Sequence, residues 1–167
     1  MKMTKTVKLV LPTYQELPNM GLYLKQVVAY IEDCTQDLAS ITITNSMVSN
    51  YVKHQLIPHP TKKLYYRDQI AMLLFIVVAK TVLEQQDLRQ AVQIQAQTYD
   101  LSVAYDYFNA ELTNVTEYVR GQRPALAEIG HEQTDEKQML RNIIMAFAYR
   151  EYLYRYFHQA DNESLSN

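Results

Sequence analysis

Glycine is nearly missing from this chain: three residues in 167, where ordinary usage gives about 12. Tight turns, phosphate-cradling loops and many-stranded β folds draw on glycine for backbone conformations that other residues resist. So few glycines point to a helical fold and away from a glycine-rich phosphate cradle. The length suits one ordinary domain, or two small helical layers on a shared core. Hydrophobic residues make up 48 % and charged residues 20 %, enough apolar surface for a packed interior and too little charge for a disordered polyelectrolyte. With no tryptophan, the 14 tyrosines are the main large side chains.

The single cysteine, Cys34, has no partner for an internal disulfide. A disulfide-framed secreted scaffold is thereby excluded, and a reducing cytoplasm is expected. Residues 1–10 carry three lysines, but no apolar block of signal length follows them. The longest apolar run, residues 70–79, is half the length of a membrane span and reads as a buried core helix. No membrane partner is expected.

Charge is unevenly distributed. Residues 1–80 hold 9 Lys+Arg against 5 Asp+Glu, a balance of +4. Residues 81–167 hold 7 against 13, a balance of -6. Between Asp37 and Asp68 lie 30 residues without a carboxylate, carrying Lys53, Lys62, Lys63, Arg67, His54 and His59. Such a local basic surface attracts polyanions, and it equally describes a solvated loop that lacks acids.

Apolar spacing and breakers divide the chain. Residues 1–19 read as an irregular arm with Pro12 and Pro18. A helix is expected over 20–35, capped by Asn19, and after a short link a second over 45–55, capped by the Thr44 hydroxyl. Its inward positions are Met47, Val48, Tyr51 and Val52; its outer face holds Asn45, Ser46, Ser49, Asn50 and Lys53. Pro58 and Pro60 end it. Residues 59–66 form a basic, aromatic wing, with 61–66 readable as a hairpin. Further helices are expected over 67–83, 86–97, 101–120 and 134–159, the last opened by Thr134-Asp135-Glu136. Residues 161–167 read as a flexible tail.

Two helices, a basic wing and a buried helix, in that order, describe a winged helix-turn-helix over residues 20–97. A recognition helix must enter a groove about 12 Å wide and meet base edges. Short amides and hydroxyls at Asn45, Ser46, Ser49 and Asn50 can do so, while Lys62 and Lys63 reach phosphates. Residues 98–160 would then form a helical dimerisation layer and a possible sensor region.

The stretch Tyr51-Val52-Lys53-His54-Gln55-Leu56-Ile57-Pro58 resembles the end of the recognition helix in MerR-type regulators. Lys62-Lys63-Leu64-Tyr65 is similar to that family's basic-aromatic wing strand. Asp68-Gln69-Ile70 through Leu74-Phe75-Ile76, and Asp87-Leu88, match its next two helices. Leu17-Pro18, Leu22-Tyr23-Leu24-Lys25-Gln26-Val27-Val28, Asn50-Tyr51-Val52-Lys53, Pro58, Pro60 and Lys62-Lys63-Leu64-Tyr65 resemble an uncharacterised Firmicutes family, the domain of unknown function numbered eighteen thirty-six. The MerR resemblance implies a DNA-binding transcriptional regulator whose recognition helix, 45–55, lies in the major groove. The implied double-stranded DNA contacts are Asn45, Ser46, Ser49, Asn50, Tyr51, Lys53, His54, Lys62, Lys63, Tyr65 and Arg67. Four features depart from the MerR pattern: Ser46 and Ser49 replace arginines, Gln55 stands where a glycine usually follows the helix, an arm precedes the DNA-binding unit, and at least two helices after residue 98 replace that family's long single dimerisation helix.

Other readings stay open. Tyr51 can be a core aromatic with a wet hydroxyl rather than a phosphate contact. The tyrosines of 99–118 and 149–157 can line a pocket for an unknown small-molecule effector or form a homodimer interface. His54, His59, His131 and His158 lack metal-ligand spacing, and no catalytic motif is present. Neither an enzyme nor a cofactor is expected. The rival function is a non-catalytic protein–protein adaptor that keeps a helix-turn-helix fold without DNA binding.

Overall fold

The apolar run has no polar face to turn toward water, and the fold buries it from all sides. In a computed structural model describing residues 9–130 and 132–164, it becomes helix α3, Arg67–Ala79, with ten of thirteen residues buried. Around it stand α1 (Leu24–Cys34), α5 (Leu101–Val119) and α6 (Asp135–Ser164), each packed against α3. The helices α2 (Asn45–Lys53) and α4 (Gln85–Thr98) lie outside, on α1 and α5 respectively. A single cluster of buried apolar side chains runs from Leu9 to Ala148, so both halves of the chain share one core. Among the described residues the fold is mainly helical, with one two-stranded sheet. Among the described residues no helix is long and apolar enough to cross a membrane.

The sheet is small and joins distant segments. Strand β1 (Leu22–Tyr23) pairs antiparallel with β2 (Leu64–Tyr65), Leu22 opposite Tyr65 and Tyr23 opposite Leu64. The expected helix over 20–35 therefore starts later. Its N-cap is Tyr23, whose amide donates to Gln26 Oε1 at 2.9 Å, in place of Asn19. Gly21 makes the pairing possible: a Cβ there would sit 2.8 Å from Leu64 Cβ.

Residues 9–19 are tied down, against the expectation of an irregular arm. Leu9, Leu11 and Leu17 are buried, and Tyr14–Glu16 forms a 3-10 turn. Polar side chains of α5 hold the extended backbone: Tyr105 Oη donates to the Pro12 carbonyl at 2.8 Å, and Asn109 Nδ2 to that of Leu11 at 2.9 Å. Residues 1–8 of the expected arm, 165–167 of the expected tail, and His131 lie outside the described residues. The last helix runs through Ser164, so part of the expected tail is helical.

The link between α1 and α2, residues 35–44, falls where the expected helices leave it and is held by the C-terminal layer. Glu151 of α6 is buried, and its carboxylate accepts the amides of Ala39 (2.7 Å) and Ser40 (2.9 Å) together with Arg155 Nε (2.9 Å). Another buried acid, Glu111 of α5, accepts Arg141 Nε of α6 at 2.7 Å, and Arg141 also donates to the Ala127 carbonyl. Buried carboxylates need such pairing because an unpaired charge away from water is costly.

Candidate nucleic-acid interface

Helix α2 begins where the sequence indicates. Thr44 is extended, and its hydroxyl accepts the Met47 amide at 3.2 Å, satisfying one of the first free N–H groups. Val48, Tyr51 and Val52 turn inward and are buried. Asn45, Ser46, Ser49, Asn50 and Lys53 are exposed. Their i, i+1, i+4, i+5, i+8 spacing gathers them on one helical face, which carries no acid and ends in a cation.

The end of α2 is a Schellman motif. The Gln55 amide donates to Val52 O at 3.0 Å and the Leu56 amide to Tyr51 O at 2.9 Å, with Gln55 at φ 58°. Helix α5 ends in the same pattern, its left-handed residue being Gly121 at φ 72°. Gln55 thus occupies a glycine conformation without being glycine, and this turn aims the chain into the buried pair Leu56 and Ile57.

The wing is a two-residue hairpin. Thr61 and Leu64 exchange backbone hydrogen bonds at 3.0 and 2.9 Å, leaving Lys62 and Lys63 at its tip with φ of 50° and 67°. Positive φ at both central residues is the requirement of a type I′ turn, where asparagine and glycine are favoured. Here both are exposed lysines. At the base, buried Gln69 holds the segment before the hairpin, Nε2 donating to the carbonyls of Pro58 and His59 at 3.1 Å while Oε1 accepts the Tyr66 amide at 2.7 Å. Helix α1 packs against α2 and also touches both strands, so one helix supports helix and wing.

Three of the proposed contact residues are not presented to a partner. Tyr65 is 4 % exposed, its side chain turned into the core by strand alternation. Tyr51 is 7 % exposed, and burial pushes its phenol up to about 12. Arg67 is used internally: its guanidinium donates to Leu17 O (3.1 Å) and Gln15 O (3.0 Å) and lies 5.5 Å from the centre of the Tyr14 ring. It fastens residues 9–19 to α3. His54 is half-buried at the α2 C-cap.

Two neighbours escaped the sequence reading. Tyr23 pairs with Leu64 beside the hairpin tip and is 59 % exposed. Lys80 follows α3, and its ammonium stands 3.6 Å from Met47 Sδ and 6.0 Å from the centre of the Tyr51 ring, with burial lowering its pKa. No local spacing marks either residue, because both gain their place through tertiary contacts.

A family model described as a domain of unknown function, DUF1836, matches residues 12–108. The match includes the whole candidate interface and ends within α5. No curated protein and no solved structure matches the chain.

Proposed function

The chain belongs to the DUF1836 family, and on that premise we propose that it is a DNA-binding regulator with a MerR-like winged helix-turn-helix. The observation that carries this reading is the exposed, acid-free outer face of α2. Helix α2 enters the major groove. Asn50 and Asn45 meet base edges, an amide being able to pair bidentately with adenine. Ser46 and Ser49 add shorter contacts, and Lys53 a longer, cationic one. Lys62 and Lys63 grip phosphates from the hairpin tip and fix the register of the helix. Tyr51 and Tyr65 support this surface from beneath.

The regulator acts as a homodimer through α6. Tyr149, Tyr152, Leu153, Tyr156 and Phe157 recur at i, i+3, i+4, i+7 and i+8 and are 42–61 % exposed. An apolar stripe of this regularity on a soluble surface calls for a partner, and a second copy supplies an identical stripe. Two-fold symmetry then requires a palindromic site.

Site selection from random duplex DNA with the purified chain tests the reading. Enrichment of a palindrome, with affinity falling steeply as salt rises, is the expected result. Lys62→Ala with Lys63→Ala should weaken binding to all sequences alike, and Asn50→Ala should change the preferred sequence. A confirmed dimer with no detectable DNA binding at low salt would favour the adaptor.

A further inference from the structure

A cavity of about 180 Å3 opens between α3, α4, α5 and α6, away from the outer face of α2. Five aromatic rings wall it: Phe75, Tyr99, Tyr105, Tyr107 and Phe108. Phe75 and Phe108 meet edge to face at 5.4 Å, and the Tyr105 hydroxyl is already engaged with the Pro12 carbonyl. Met72 and Met139 add polarisable side chains that adapt to flat ligands. An engineered apolar cavity of about 150 Å3 takes up benzene, so this volume admits one or two fused rings.

The rim decides the charge of the occupant. Glu136 and Lys137, neighbours in the first turn of α6, both line the opening. The Lys137 ammonium donates to the Glu132 carbonyl at 2.6 Å and stands 5.3 Å from the centre of the Tyr107 ring, neither of which neutralises it. An anion would meet Lys137 beside Glu136, and a cation the reverse. Each would also lose hydration against an aromatic wall. A neutral ring bearing one polar N–H loses little and finds hydrogen-bonding partners in Gln95, Glu136 and the hydroxyls of Tyr99 and Tyr107, Tyr105 being already engaged.

We propose that this cavity is a binding site for an uncharged planar aromatic molecule of one or two fused rings, of the indole class. The site stands independently of DNA binding. Its occupant would contact α3, the helix whose first residue fastens the N-terminal segment, and α6, the helix whose Glu151 holds the α1–α2 link.

Calorimetric titration of the full chain with indole, without DNA, tests the assignment. Saturable one-to-one binding is expected, with indole-3-acetate and tryptamine each at least about tenfold weaker, or about 1.4 kcal/mol. Ala104→Phe, at a half-exposed lining position, should fill the cavity and abolish binding while the circular-dichroism melt stays unchanged. Should that variant unfold, competition between indole and naphthalene on the unaltered chain serves instead, and mutual displacement is expected. Absence of saturable indole binding would overturn the proposal. So would equal binding by a folded Ala104→Phe variant, charged congeners binding as tightly as indole, or failure of naphthalene to displace it.

Discussion

Replacing the hairpin tip by Lys62→Asn with Lys63→Gly should make the protein more stable and a poorer DNA binder at once. Both lysines hold positive φ, a region that costs an L-residue with a Cβ roughly 1–2 kcal/mol. Asparagine and glycine relieve most of it, and the added chain entropy of glycine in the unfolded state returns about 0.5–1 kcal/mol. The net gain is about 1–2 kcal/mol. At this chain length that raises the melting temperature by about 2–8 °C. In urea the midpoint should rise with an unchanged slope. Two lost phosphate contacts should lower the slope of log affinity against log salt by about 1.8. Lys62→Ala with Lys63→Ala is the control, since it removes the same charges without supplying turn residues. It should show the same fall in salt slope with no gain in stability. A midpoint that stays put or falls in the Asn-Gly variant refutes the strain argument, and an unchanged salt slope refutes the contact.

Gln55→Gly should stabilise the fold by about 1 kcal/mol through the same left-handed relief, read as a higher urea midpoint. Arg141→Met should cost about 3–5 kcal/mol because Glu111, fully buried, loses its counter-charge; Glu111→Leu added to it should recover much of that loss in a double-mutant cycle. Tyr51 titrates at about 12 when folded against 10.0 when free. Its contribution is fully present below pH 10 and disappears as pH climbs through about 12, since the unfolded chain releases that proton first. Urea midpoints across this window should fall less steeply in Tyr51→Phe, though still fall, because burial also raises Tyr30 and Tyr105.

Much of the helical frame is legible from local rules. Thr44 and Thr134 cap their helices because a short hydroxyl side chain reaches the amide three residues on. The run 70–79 is central because nothing in it tolerates water. What escaped reading depends on partners distant in sequence. Arg67 looks like a free cation until Leu17 and Gln15, about fifty residues earlier, present their carbonyls. Glu151 looks like a surface acid in an aromatic helix, yet it receives amides from residues 39 and 40. Leu9 and Leu11, two apart, carry the period of an extended segment packed on one side, but their prolines suggest disorder instead. Backbone handedness at Gln55, Lys62 and Lys63 is hidden for another reason: residue preference forecasts where strain is cheap, and these positions carry strain.

The enclosure of α3 has a practical corollary for anyone wishing to cut the protein down. Its walls come from both ends of the chain: Val27 and Ile31 on one flank, Leu112, Ile144 and Phe147 among the others. A fragment trimmed to the family-matched stretch would lose α6 and half of α5, uncovering a greasy rod that would seek other copies of itself. Aggregation of such a truncated product would report the missing wall, and only the intact polypeptide offers a fair specimen for ligand or nucleic-acid work.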